Sequence, residues 1–286
     1  MQKSDSRAAG LVVESQTLYL VGTPIGNLGD WSSRAQEVLG QVDAVLAEDT
    51  RVTGLLCHNA GISVRLISFH AHNTRQRIGE IVDRLRSGQS LALVTDRGMP
   101  AISDPGQELV DALWQEGLKV SVVPGPSAAT TAFAASGFPA PFAFWGFLPR
   151  AGADRRRVLQ DLGGWPHAAV LYESPHHMKA TLDDLAADLG ERDVLLGREM
   201  TKKFEEYWRG SLRVLAADTR TWKGECVLVI GPAKKMPGSV EVDWNQLVSR
   251  VDELVSQGLH PNEAMRQTAR EYGVSRRDLY QRVHDT

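Results

Sequence analysis

Cysteine is scarce: only Cys57 and Cys226 occur in 286 residues. Two thiols cannot build a disulfide framework and show no metal-ligand spacing, so each reads as a reduced thiol of a cytoplasmic protein. No apolar run approaches the ~18 residues that span a bilayer. The stretch Met1–Gly10 lacks the apolar core of a signal peptide. The formal charge is only -3, which excludes coating nucleic acid by overall charge and leaves room for a local basic patch. No Gly-Lys-Ser/Thr tripeptide occurs, so a P-loop is excluded. Repeats and low-complexity tracts are absent too.

What is present is a chain with 42% hydrophobic residues, enough for two ordinary cores and an appendage. The expected division is a disordered lead-in at 1–16, an α/β domain at 17–136, a second α/β domain at 137–233 and a helical tail at 240–286. Gly137-Phe138-Pro139-Ala140-Pro141 and the stretch from Pro232 to Ser239 read as linkers, because prolines and glycines interrupt the periodicity there. In the first domain, short apolar runs at 18–21, 44–47, 66–69, 91–94 and 120–123 alternate with helical patterns. That alternation predicts a mainly parallel sheet covered on both faces. In the second, strands are expected at 142–145, 168–172, 194–196 and 225–230, with helices at 178–189 and 212–217.

The most unusual loop is Thr95-Asp96-Arg97-Gly98-Met99-Pro100-Ala101-Ile102-Ser103-Asp104-Pro105-Gly106, between the strand ending at Val94 and a helix from Gln107 to Gln115. Loops at strand carboxyl ends are where open α/β sheets bind small ligands. Gly98 lets backbone approach a ligand, and Pro100 and Pro105 stiffen the turn. Asp104 is expected to cap the next helix, with Pro105 at its first position. Gly22, Gly26 and Gly29 follow the first strand, but their spacing is not the dinucleotide fingerprint; a tight turn and a ligand loop both remain open. Glu48-Asp49-Thr50-Arg51 reads equally as a cap with an ion pair or as a polar site. Pro124-Gly125-Pro126-Ser127-Ala128-Ala129 suits contact with a flat group such as adenine, or close helix–sheet packing. His70 and His72 have no third ligand in sight, so no metal is expected. Arg150 with Arg155, Arg156 and Arg157 forms the densest basic cluster, a phosphate contact or a solvated helix face. Residues 261–284, with a Gly-Val-Ser turn at 273–275, are similar to a helix-turn-helix. Their charges roughly cancel, so DNA binding is not inferred.

Together and in this order, these motifs and Tyr172-Glu173-Ser174-Pro175-His176 and Gly224-Glu225 resemble the ribosomal RNA small-subunit methyltransferase I family of the tetrapyrrole methylase superfamily. The resemblance covers roughly Leu18 to Ile230 and extends to the helical tail. It implies two α/β domains with S-adenosylmethionine in the cleft between them, and a homodimer. It also implies methylation of a cytidine ribose 2′-hydroxyl in the decoding region of small-subunit (16S) rRNA, free or in the assembled subunit. Ile25, Gly98, Met99, Ile102, Ser127, Ala128, Tyr172, Gly197 and Glu225 would hold the cofactor. Asp49, His70 and Glu173, each at a strand end, are candidates for a general base. Arg51, Arg150, Arg155, Arg156 and Arg157 would hold RNA. Arg97, Met99 and His177 depart from the family's usual small residue, threonine and arginine. A tetrapyrrole-type small-molecule methylase, and a non-enzymatic RNA-binding or ribosome-assembly protein with a vestigial pocket, are the competing readings.

Overall fold

The computed structural model describes residues 13–233, 244–272, 279–280 and 282–283. The expected lead-in up to residue 12, most of the second linker and the Gly-Val-Ser turn at 273–275 lie outside them. The chain divides into two compact units, one through residue 233 and one from residue 234 on. Both α/β halves therefore belong to a single compact unit.

In the first half the elements are β1 (Thr17–Val21), α1 (Ser33–Gln41), β2 (Ala44–Ala47), α2 (Thr50–Asn59), β3 (Leu66–Ser68), α3 (Thr74–Arg86), β4 (Leu91–Val94), α4 (Gln107–Gln115), β5 (Lys119–Val123) and α5 (Ala128–Ser136). The five strands pair in the order β3-β2-β4-β1-β5, all in parallel. Alternation along each strand sends side chains to opposite faces. Leu18, Leu91 and Leu93 pack with Leu85, Leu109 and Leu113 on one face. Tyr19, Val21, Ala92 and Val94 pack with Trp31, Ala35 and Leu39 on the other. The connections leaving β1 and β4 run to opposite sides of the sheet, which makes the crevice between those two strand ends the switch point where such folds bind ligands.

The second half contains β6 (Phe142–Phe147), α6 (Gly152–Gly164), β7 (Ala168–Glu173), α7 (Met178–Leu189), β8 (Asp193–Arg198), β9 (Glu206–Ser211), α8 (Leu212–Ala216) and β10 (Cys226–Ile230). Its sheet order is β6-β7-β10-β8-β9. Only β6 and β7 run parallel; the remaining pairs are antiparallel. Strand β9 is not in the sequence-based expectation: Glu206-Tyr207-Trp208-Arg209-Gly210-Ser211 is an edge strand whose charges and glycine hide its alternation. One face of this sheet packs under α6, α7 and α8 through Leu162, Leu182, Leu185 and Leu212. The other face packs against α5, where Ala129 and Ala132 meet Val170, Leu195, Val227 and Val229. Alanines let α5 lie close to the strands. The helix that ends the first half thus covers the sheet of the second.

In the other unit, α9 (Trp244–Ser256) and α10 (Pro261–Glu271) share a small core of Leu247, Val251, Leu254, Ala264 and Met265. Pro261 occupies the first position of α10 and His260 caps it. Among the described residues no helix is long and apolar enough to cross a membrane.

The loops after β1 and β5 touch backbone to backbone. A Cβ placed on Gly22 would lie 2.6 Å from the Gly125 Cα, and one on Gly125 would lie 2.8 Å from the Gly22 Cα. Gly125→Ala should therefore destabilise by about 1–3 kcal/mol through overpacking. Gly79→Ala, inside α3 with open space around it, should stabilise by about 0.5–1 kcal/mol. Urea unfolding of the two variants checks the sign; similar effects at both positions would contradict the packing of the loops.

Candidate functional site

The central loop is fastened to the first loop by main-chain pairing. Thr23 N–H donates to the Gly98 carbonyl at 2.9 Å and Gly98 N–H to the Thr23 carbonyl at 3.2 Å. The Thr23 hydroxyl, which is buried, donates to the Thr95 carbonyl at 3.1 Å. Beyond this bridge the loop turns through positive φ at Gly98, Ala101, Ser103 and Gly106. Ala101 and Ser103 carry side chains in that left-handed region, a strain of the kind that clusters at ligand sites. The residue preceding α4 is Gly106, at φ 135° and with no side-chain cap. Asp104 is not the helix cap the sequence suggested: the glycine turn intervenes, and Asp104 lines the cleft instead.

That cleft has a volume of about 580 Å³ and lies between the strand-end loops of the first half and β7, β10 and the loop after β8. Its walls include Ile25, Gly98, Met99, Ile102, Ser127, Ala128, Tyr172 and Glu225, all expected to hold a cofactor. Gly197 is not in the wall. It stands in register with Val227, which in turn faces Tyr172, and a Cβ on it would lie 2.8 Å from the Met200 sulfur. Gly197 thus makes room for Met200, which does line the cleft.

Sequence reasoning did not single out Val52, Phe147, Met200, Cys226 and Val227 as wall residues, took Glu48, Thr95 and Asp96 only as members of candidate loops, and misassigned Asp104. The acidic side of the cleft is assembled across β2 and β4. The Thr95 hydroxyl donates to Glu48 Oε2 at 2.8 Å, and the Asp49 N–H donates to Asp96 Oδ1 at 3.2 Å. Burial pushes the Asp104 carboxyl up to about 6, helped by the charges of Glu48 and Asp96 and opposed by a hydrogen bond from Thr95. Asp96 is raised as well, chiefly by burial. On the opposite wall, burial raises the Tyr172 phenol, while bonds to the Ala129 amide and to Ser127 pull it back. The Tyr172 ring sits edge-on to Phe144 and Phe147, with centroids at 4.8 and 5.6 Å. Tyr172 also packs in the same apolar cluster as Ala128 and Ala129 at the start of α5. Cys226 is buried, with its thiol pushed up to about 11 by that burial, and is no nucleophile at neutral pH. Among the described residues no His, Cys, Asp and Glu side chains are grouped to hold a metal ion.

The three candidate bases fare differently. Asp49 caps α2 by accepting from the Arg51 N–H and pairs with the Arg51 guanidinium at 2.5 Å. Those bonds hold its carboxyl well below the ordinary range, which makes it a weak base, and it is outside the cleft wall. His70 is also outside the wall; its main-chain N–H donates to the Asn73 side chain at 2.9 Å. Glu173 lines the cleft but is buried and committed: its oxygens accept from the Thr181 hydroxyl at 2.5 Å and from the Ser174 N–H at 2.7 Å.

Of the expected RNA contacts, Arg51, Arg150, Arg156 and Arg157 are exposed, Arg157 within 3.2 Å of Asp154. Arg155 is built into the fold instead. It donates to Asp184 at 2.8 Å, to the Pro149 carbonyl at 2.9 Å and to the Thr181 hydroxyl at 3.1 Å. Its neighbours in sequence face solvent while it braces the Thr181–Glu173 pair. Arg97 and Met99 also have places: Arg97 reaches across the cleft to pair with Glu225, itself 2.7 Å from Lys202. The Met99 sulfur packs where a Cβ on Gly22 would be. His177 lies outside the wall, just before α7.

A buried carboxyl raised from 3.8 to about 6 keeps its proton in the folded state while the unfolded chain loses it. Ionised Asp104 therefore costs stability, nothing below about pH 3.8 and the full amount above about pH 6. Asp104→Asn should melt at a higher temperature than the parent at pH 7.5, and the gain should shrink toward pH 4. A gain independent of pH in parallel thermal melts would show that Asp104 is not desolvated.

Comparison with known proteins places this geometry. Residues 17–216 match the family of Tetrapyrrole (Corrin/Porphyrin) Methylases. A protein of Streptococcus pyogenes serotype M3 (strain ATCC BAA-595 / MGAS315) named Ribosomal RNA small subunit methyltransferase I is 45% identical over 95% of this chain and 96% of its own. One of the same name from Bacillus subtilis (strain 168) is 40% identical over 93% and 94%. Among solved structures, cobalt precorrin-4 methyltransferase superposes with a TM-score of 0.57 at 20% identity, covering 76% of this chain and 95% of that one. Uroporphyrin-III-C-methyltransferase from Thermus thermophilus gives 0.52 at 23%, covering 76% and 94%; at such identities the likeness speaks to fold alone. The chain belongs to the tetrapyrrole (corrin/porphyrin) methylase family and, within it, to the group of ribosomal RNA small subunit methyltransferase I proteins.

Proposed function

We propose that this protein transfers the methyl group of S-adenosylmethionine to the 2′-oxygen of a cytidine ribose in the decoding region of small-subunit ribosomal RNA. The observation that carries the reading is the cleft, whose wall contains every residue expected to hold the cofactor except Gly197. Methylation of ribosomal RNA with this cofactor follows from the group to which the chain belongs. The cytidine and its 2′-oxygen rest on the sequence resemblance.

The wall suits the cofactor's chemistry. A sulfonium and an ammonium group favour a negative field, which Glu48, Asp96 and Asp104 supply. The adenine and the aliphatic chain need apolar and aromatic surface, available at Ile25, Phe147, Tyr172, Met200 and Val227. When bound, the cofactor supplies a methyl group already activated on a sulfonium. The protein then has to align the acceptor, and alignment is worth ~7–11 kcal/mol in the best model reactions. Exposed Arg51, Arg150, Arg156 and Arg157 are the proposed phosphate contacts. A homodimer, action in the cytoplasm and the choice between free rRNA and the assembled subunit belong to the same proposal.

The small-molecule reading has the broad family and its fold behind it, but the tetrapyrrole-enzyme structures are only 20–23% identical, whereas the rRNA methyltransferases match at 40–45%. The vestigial-pocket reading rested on Arg97 and Met99. Both line the cleft with partners of their own: Arg97 pairs with Glu225 and Met99 packs at Gly22.

Purified small subunits lacking the modification, incubated with methyl-labelled S-adenosylmethionine, test the proposal. Nuclease mapping should place the label on a 2′-O-methylcytidine in the decoding region. Label on a base, or on a nucleotide elsewhere, would overturn the assignment of the acceptor. No transfer to the subunit would overturn the ribosomal reading for the assembled particle, and protein-free rRNA would then be the substrate to try.

A further inference from the structure

We propose that the loop after β8 and the edge strand β9 form a docking track for single-stranded RNA leading out of the cleft. Phe204 and Tyr207 stack on bases, and Lys203 meets a phosphate. The inference rests on the proposed function and adds to it a surface that no sequence motif assigned to RNA.

The track begins inside the cleft. Tyr172 of β7 stands in register with Val227 of β10, Val227 with Gly197 of β8, and Gly197 with Tyr207 of β9. Residues paired in this way share one face of a sheet. The row therefore runs from two wall residues, Tyr172 and Val227, to the sheet's edge, three strand spacings or about 14 Å from Tyr172. Gly197 leaves that face open for its neighbours: a Cβ on it would lie 2.8 Å from the Met200 sulfur and 3.4 Å from the Tyr207 ring. Tyr207 is 39% exposed, and Phe204 on the adjoining loop is 67% exposed. Neither belongs to the wall of the cofactor cleft.

The loop is built to hold Phe204 outward. Glu199 and Thr201 take left-handed φ values of 49° and 67°, strain that persists only where the surroundings enforce it. Here they do. The Thr201 N–H donates to Glu205 Oε2 at 2.6 Å, and Lys202 Nζ sits between Glu199 and Glu225 at 2.8 and 2.7 Å. On the other side the loop rests on Gly26, where an added Cβ would lie 2.5 Å from Lys202 Cγ. A ring presented by so fixed a loop has little freedom to lose on binding.

Charge selects the partner. The carboxylates of this loop and strand are committed: Glu199 to Lys202 and the Glu225 N–H, Glu205 to the Thr201 N–H, and Glu206 to Arg198 and Arg220. Lys203 is exposed, and among the described residues it forms no ion pair; its Nζ lies 5.7 Å from the Phe204 ring centroid. An exposed ring beside an unpaired cation matches an unstacked base and its phosphate. Across the cleft, Glu48, Asp96 and Asp104 repel a polyanion, which favours the second-sheet side as its path.

Anisotropy of a short fluorescent single-stranded oligoribonucleotide, titrated with the full chain, tests the track. Phe204→Ala should weaken binding by about 5–150-fold, the worth of one base–aromatic stack, and Phe204→Trp should keep it. Lys203→Gln should lower the slope of log affinity against log salt by ~0.7, one phosphate of a single strand. Phe204→Ala should leave that slope alone. Cofactor affinity by calorimetry and the thermal midpoint should match the parent's in all three variants, which a folding defect would not allow. Equal affinity of the parent and Phe204→Ala, or no binding by the parent, overturns the proposal. So does a shift from dimer to monomer in sedimentation of Phe204→Ala with oligonucleotide affinity unchanged, which assigns the ring to a second copy of the chain. Methyl transfer by the parent to unmodified small subunits, run in parallel, tests the proposed function separately. Its failure beside a weakened Phe204→Ala supports the track and overturns only the assigned acceptor.

Discussion

Everything at the site depends on three strand-end loops being held together by their own backbone. The Thr23–Gly98 pair of hydrogen bonds joins the loops after β1 and β4, and the contact of Gly22 with Gly125 brings in the loop after β5. Main-chain contacts of this kind leave little freedom, because any added side chain collides with backbone and not with a flexible neighbour. With the loops fixed, the strained turns at Ala101 and Ser103 and the inward placement of Asp104 follow. The carboxyl ends of β1 and β4 are also the switch point of the sheet, so loop closure and ligand position share one cause.

The second wall is held by a different interaction. Helix α5 begins at the third loop and packs its alanines on the second sheet, where Tyr172 joins the same apolar cluster. The cleft is therefore a gap between the strand-end loops of the first sheet and the second sheet on which α5 packs, within one compact unit. Its two sides differ in character. One is acidic, built by β2 and β4 lying side by side; the other is more aromatic and apolar, its carboxylates Glu173 and Glu225 being hydrogen-bonded or ion-paired. A cationic cofactor with a flat ring system matches both, and a carboxyl such as Asp104 at their meeting point acquires an unusual proton affinity from burial and like charge. That affinity is unfavourable to folding, a familiar cost at functional sites.

Much of this was legible in the sequence, for local reasons. The parallel first sheet follows from short apolar runs separated by helical patterns, and α4 spans Gln107–Gln115 as its periodicity indicates. The loops that line the cleft stand out as glycine, proline and polar residues at strand ends. What was not legible depends on contacts between distant residues. Thr95 and Glu48 are 47 positions apart, and only the pairing of β2 with β4 unites them. Asp104 was misread because the Asp-Pro pair imitates a helix start, whereas the glycine after it takes the positive φ that ends the turn. Arg155 was grouped with its neighbours because a run of arginines looks uniform. The helical turn of α6 separates it from Arg156 and Arg157 and points it at Asp184 and Thr181. Strand β9 escaped notice because its partner β8, not its own pattern, makes it a strand.

The central claim is that the cofactor sits where the three loops meet the second sheet. Hydrogen–deuterium exchange of the protein with and without saturating S-adenosylmethionine tests it most directly. The account predicts slowed exchange at residues 22–26, 95–106, 127–129 and 172–175. Binding with no slowing there, and with protection instead at the hollow between α2 and β3 around 54–66, would contradict it.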